Sequence, residues 1–123
     1  IFRPVIGACY ACMLVHLPLH AAQLSKVVTA ADIYDVLAAH YDGAAFVRMG
    51  SARAGDPETA SLYLDAAALV GQNHMELFVF ANADNSQFWL LARLDNLGKG
   101  ASGAAVQNMN IALGLAPTTG LVA

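Results

Sequence analysis

Apolar positions recur along this chain with two periods, and the changes of period divide it into elements. From Ala11 to Leu19 apolar residues dominate in an extended pattern, which predicts a strand closed by Pro18. Thr29 then reads as an N-cap, with Asp32 in the first turn. The spacing of Ile33, Val36, Leu37 and His40 predicts a helix over 30–41, ended by Gly43. A short strand is expected over 45–49. The Gly-, Ser-, Asp- and Pro-bearing stretch 50–59 reads as a loop. Residues 62–64 are expected as a brief edge strand, and 65–68 as a helical turn before Gly71. Two longer strands follow, 74–82 and 87–95, joined by Ala83-Asp84-Asn85-Ser86, a hairpin turn by composition. A last helix is predicted over 101–113, with Gly114 just past its end. The order β-α-β-loop-β-β-α argues an α+β fold, an antiparallel or mixed sheet with helices on one face.

The hairpin strands are apolar on both faces. Leu77, Val79, Phe88, Leu90 and Ala92 alternate with Phe78, Phe80, Trp89 and Leu91. One face can pack on the domain's own helices, and the other needs a partner. Composition sharpens the point. Of 123 residues, 58% are hydrophobic and only 12% charged, too few charges for the whole surface of one small domain. The net charge of −3 supplies no basic field for nucleic acid or an anionic membrane. No apolar run reaches the roughly 18 residues of a membrane span, and the start lacks a signal peptide's basic region and apolar stretch. The opening Ile1-Phe2-Arg3-Pro4 reads as the interior of a strand, so a fragment of a longer protein is expected.

Cys9 and Cys12 form a C-x-x-C, with His16 and His20 close by. A strand would spread these four over about 30 Å at about 3.3 Å per residue, and Pro18 breaks the helix that would align them. No metal site is expected, and the cysteines read as inert, reduced apolar residues. His16, His20, His40 and His74 lie on separate elements with no carboxylate or nucleophile at a readable spacing. No serine has a G-x-S-x-G context, and no pair of carboxylates is suggested. Gly98, Gly100 and Gly103 fit G-x-G-x-x-G, but no strand with an acidic residue follows to complete a dinucleotide fold. The simpler expectation is a helix N-terminus whose free N–H groups attract polar or anionic ligand groups. Lys99 lies in that turn and Asn96 is placed to cap or brace it. The amides of Gln107, Asn108 and Asn110 require partners, protein or ligand; for Gln107 and Asn110 hydrogen bonding across a domain interface is expected first and direct ligand contact second.

The run from Leu94 to Leu115, LDNLGKGASGAAVQNMNIALGL, resembles the C-terminal signature of N-acetyl-gamma-glutamyl-phosphate reductases, DNL-x-KGA-x-G-x-AVQN-x-N followed by an apolar run and GL. Phe2, Pro4, Gly7, Met13, Leu14, Val15, Pro18 and Leu19 look like a second family strand, and 74–82 with 87–97 like its paired strands. The resemblance implies a semialdehyde-dehydrogenase-type catalytic and dimerisation domain. Residues 1–97 would form part of the substrate and dimerisation domain. Residues 98–123 would be the glycine-rich turn and the helix returning toward an NADP-binding domain. It also implies a cytoplasmic homo-oligomer, dimer or tetramer, that uses NADP to reduce an acyl phosphate in arginine biosynthesis. Asn96, Lys99, Gly100 and Ala101 fall where cofactor contacts are expected. Gly7-Ala8-Cys9-Tyr10 imitates the family nucleophile motif but lacks its proline and leads into a strand. The catalytic Cys and His are therefore expected upstream of Ile1, and the isolated chain is expected to be inactive. Ala11 and Cys12 depart from a polar residue and a glycine of the family pattern. Aspartate-semialdehyde dehydrogenase is the nearest alternative, and a non-catalytic oligomerisation module or inactive paralogue the other.

Overall fold

The computed structural model describes residues 4–53 and 64–122. Four strands form one mixed sheet in the order β1-β4-β3-β2: β1 Met13–His20, β2 Val47–Arg53, β3 Met75–Ala81 and β4 Gln87–Leu94. β4 runs antiparallel to both its neighbours, and β2 runs parallel to β3. β1 and β2 are the two edges. Pro18 is tolerated because an edge strand has one side free of ladder bonds. The second strand is longer than its sequence suggests. Residues 50–53, expected in a loop, continue β2 because Gly50 lies flat under the Phe78 ring, where a Cβ would come within 2.1 Å of it. The remainder of that loop and residues 62 and 63 of the expected edge strand lie outside the described residues, and Leu64 carries no strand.

Helix α1, Ala30–His40, crosses one face of the sheet between the two edge strands. Its start is fixed twice. Thr29 and Asp32 form a capping box, and Asn85 of the β3–β4 turn accepts the Ala30 N–H at 2.9 Å. Asn85 reaches that position from a left-handed backbone, φ 55°. Ile33, Tyr34 and Leu37 pack on a core centred on Ala30, Val79 and Phe88, joined by Leu19 and Leu90. The buried stripe is thus rotated from the expected one. Val36 is 68% exposed and His40 is exposed, while Tyr34 points inward.

The two hairpin faces have different fates. Leu90 packs on the core beneath α1, while on the opposite face Phe78 and Leu91 are buried and Trp89 is 48% exposed. Trp89 stacks on His16 at a centroid distance of 5.1 Å and leans on Phe80 at 6.4 Å. At the other end of this face Glu76 is buried between Arg93 and Arg48, ion-paired with both. Arg93 also covers the Phe78 ring and donates to the Asp65 carbonyl.

Cys9 and Cys12 are joined as a disulfide just before β1. This corrects the expectation of two free thiols: the C-x-x-C bends back on itself where the strand was expected to have begun, bringing the Cα atoms to 6.0 Å.

Candidate functional site

The C-terminal end of β4 carries the features that the sequence singled out. Asp95 directly follows the strand and is 4% exposed. Its Oδ1 accepts the N–H groups of Leu97 and Gly98 at 2.7 and 2.9 Å, and its Oδ2 accepts that of Gly71 at 2.7 Å. The Gly98 N–H, then those of Gly71 and Leu97, hold the carboxyl below its ordinary pKa against the opposing effect of burial. From here the chain winds through a wide π-helical turn, Gly98–Ser102, and continues into α2, Gly103–Ala112.

This geometry alters the expected anion seat. The helical run begins before Ala101, and its first donors are already used. Gly100 N–H reaches the Asp95 carbonyl, Ser102 N–H the Leu97 carbonyl, and Gly103 N–H the Gly98 carbonyl. The negative group at the start of the helix is the chain's own Asp95, which takes the capping role expected of Asn96. Sequence reasoning missed it because the helix start had been placed at Ala101. An aspartate two and three residues before the first orphan N–H groups was the available signal. Asn96, in turn, keeps a buried Oδ1 with no hydrogen-bond partner.

The other predicted site residues separate by surroundings. Lys99 folds inward, giving a hydrogen bond from Nζ to Gln107 Oε1 at 2.8 Å and lying 5.6 Å from the Phe46 ring centroid. Burial lowers its pKa. Gly100 and Ala101 face outward and are exposed. Beside Lys99, His74 meets Phe46 edge-on and has a buried Nδ1 without a partner. Burial and then the Arg48 charge lower the His74 pKa, partly offset by Glu76.

Two of the α2 amides find partners within the chain. Gln107 receives Lys99. Asn110, only 2% exposed, donates to the carbonyls of Pro117 and Thr119 and so pins the C-terminal segment. That segment returns to the start of β3, where the Asn73 backbone and side chain both donate to the Val122 carbonyl. Gly103 sits against the Asn73 amide so closely that a Cβ would lie 1.8 Å from Oδ1. Asn73 is a second residue that the sequence did not single out. Asn108 is exposed.

Among the described residues, no group of three or more His, Cys, Asp or Glu is placed to hold a metal ion. His16 and His20 share β1, while His40 ends α1 and His74 precedes β3. No described helix is long and apolar enough to cross a membrane.

An α+β domain with a mixed four-stranded sheet, one helix on a face and one hung from the end of β4, is the class that the fold defines. Comparison with known proteins narrows it. No family model matches the chain. Over nearly its whole length, however, it is similar to curated N-acetyl-gamma-glutamyl-phosphate reductases, as the Leu94–Leu115 signature implied. It is 43% identical over 121 residues to that of Trichormus variabilis, covering 98% of this chain and 38% of the relative. It is 41% identical over 121 residues to N-acetyl-gamma-glutamyl-phosphate reductase 2 of a Nostoc species, with the same coverage. It is 44% identical over 115 residues to the Brucella ovis protein, covering 93% of this chain and 36% of the relative. The chain thus spans well under half the length of these relatives.

Proposed function

We propose that this chain is the sheet-bearing, C-terminal part of an NADP-dependent N-acetyl-gamma-glutamyl-phosphate reductase. The observation that carries the reading is 43% identity across 98% of the chain, which includes the turn and the amide helix. The reaction converts the acyl phosphate to N-acetylglutamate semialdehyde and phosphate in arginine biosynthesis. NADPH, when bound, supplies the hydride.

The residues at the end of β4 suit a cofactor. Asn96 belongs to the turn and keeps an amide oxygen with no hydrogen-bond partner, which a cofactor carboxamide would reach only if a local shift exposes it. Lys99 has two N–H donors left after Gln107. Gly100 and Ala101 form the open side of the turn, where a ligand approaches the backbone. These four residues make the cofactor contacts in this reading. None is a catalytic group; the nucleophilic Cys and the His belong to parts of the protein outside this chain. Residues 1–97 serve the substrate and dimerisation domain, and 98–123 return toward the nucleotide-binding domain. The exposed Trp89 end of the sheet meets a second subunit of a homo-oligomer in the cytoplasm.

Titration of the full-length protein with NADP, followed at backbone amides, tests this reading. Protection confined to residues 96–101 and their surroundings is expected. No change there, with binding intact, removes these residues from the cofactor site.

A further inference from the structure

We propose that Asp95 is a positioning residue that locks the 96–102 turn to the segment ending at Gly71 and thereby sets where Asn96 and Lys99 stand; this rests on the turn being the cofactor seat. Capping needs only Oδ1, which serves Leu97 and Gly98. The Oδ2 bond to Gly71 spans 24 residues and has no capping role. Gly71 presents its N–H from a left-handed backbone, φ +79°. Gly98 closes the contact: a Cβ there would lie 3.3 Å from Asp95 Cγ and 3.1 Å from the Gln72 carbonyl. The Asp95 carbonyl meanwhile holds Gly100 at 2.8 Å. Four backbone N–H groups from two segments therefore converge on one buried residue. Both segments have further anchors. Asn73, two residues after Gly71, abuts Gly103, and Arg93 holds the Asp65 carbonyl. The turn is fixed against the sheet before any ligand arrives, which lowers the ordering cost of binding.

The test uses Asp95→Asn and Asp95→Ala in the full-length protein. Asparagine caps a helix as well as aspartate does. D95N keeps a carbonyl for Leu97 and Gly98 but turns an N–H₂ group toward the Gly71 N–H. Amide hydrogen exchange is read at Gly71, Leu97 and Gly98, and KM is measured separately for NADP and for the semialdehyde. D95N is expected to speed exchange at Gly71 alone and to raise the NADP KM about tenfold, the effect of losing one charged hydrogen bond. kcat and the semialdehyde KM should hold. D95A should free all three amides. Unchanged Gly71 exchange and NADP KM in D95N overturn the proposal. So does an equal loss in both KM values and kcat, which marks a general structural role. The cofactor reading is judged separately, on the wild type. If NADP leaves amides 96–101 unprotected there, that reading fails; if D95N keeps the full protection, the role of Asp95 fails.

Discussion

Gly103→Ala sets two principles against each other, and the structure says which wins. Gly103 has ordinary helical angles, φ −64° and ψ −41°, within a helical run that begins before it. Helix propensity alone makes alanine better by about 1 kcal/mol. The new Cβ, however, would lie 1.8 Å from Asn73 Oδ1 and 2.9 Å from the Gly98 carbonyl. Asn73 cannot swing away freely: it is buried, and its side-chain and backbone N–H groups meet the Val122 carbonyl at 2.9 and 3.1 Å. Relieving the clash costs roughly 1–3 kcal/mol of overpacking. Losing the amide bond in a buried site adds about 1–3 kcal/mol. Net of propensity, G103A should destabilise by about 1–5 kcal/mol. Urea unfolding with an unchanged slope measures it. In an Asn73→Ala background the part of the penalty due to Asn73 should vanish, and the part due to the 2.9 Å approach to the Gly98 carbonyl should remain. A G103A protein more stable than wild type in the unaltered background would refute the packing argument.

The remaining predictions use other parts of the sheet. Burial raises the Glu76 pKa, but hydrogen bonds and charge from Arg93 and Arg48 outweigh it and hold the carboxyl low. A depressed folded pKa gives stability that is complete above the ordinary carboxylate pKa and lost as pH falls through the folded value. Glu76→Gln should therefore cost roughly 3 kcal/mol near neutral pH and flatten the acid limb of a stability–pH curve; an unaltered limb contradicts this. Leu90→Asp should unfold the protein, because the core side chain is worth about 2–5 kcal/mol before its replacement is charged. Trp89→Asp should leave a folded protein whose assembly is weakened in light scattering, and equal outcomes at the two positions would sink the two-face account. Mass spectrometry of the unreduced protein should find the peptide carrying Cys9 and Cys12 lighter by two hydrogens, and two alkylatable thiols would refute the Cys9–Cys12 bond.

What the sequence made legible follows from the range of each interaction. Thr29, Asp32 and Gly43 act within one turn, so the start and end of α1 could be read directly. The hairpin was equally local, with Asn82, Asp84, Asn85 and Ser86 bonding among themselves. The extension of β2 was hidden because Gly50 is explained only by Phe78, a neighbour across the sheet. The shift of the buried stripe from Val36 to Tyr34 depends on how α1 crosses the strands, which periodicity does not fix. At the candidate site, the glycine turn and the amide helix were visible as a pattern. Their wiring was not: Asp95 to Gly71, Asn73 to Val122 and Gly103 to Asn73 all join residues more than twenty positions apart. The partners of Asn110 were hidden because the C-terminal segment that supplies them has no signature of its own.

The central claim is that this chain belongs to a protein that interconverts N-acetyl-gamma-glutamyl phosphate and its semialdehyde. The most direct measurement is the reverse reaction of the full-length protein, with N-acetylglutamate semialdehyde, NADP and phosphate, followed by NADPH absorbance. The account predicts NADPH formation that requires phosphate and that aspartate semialdehyde does not support at comparable efficiency. No phosphate-dependent NADPH from the acetylated substrate, or a preference for aspartate semialdehyde, would contradict it.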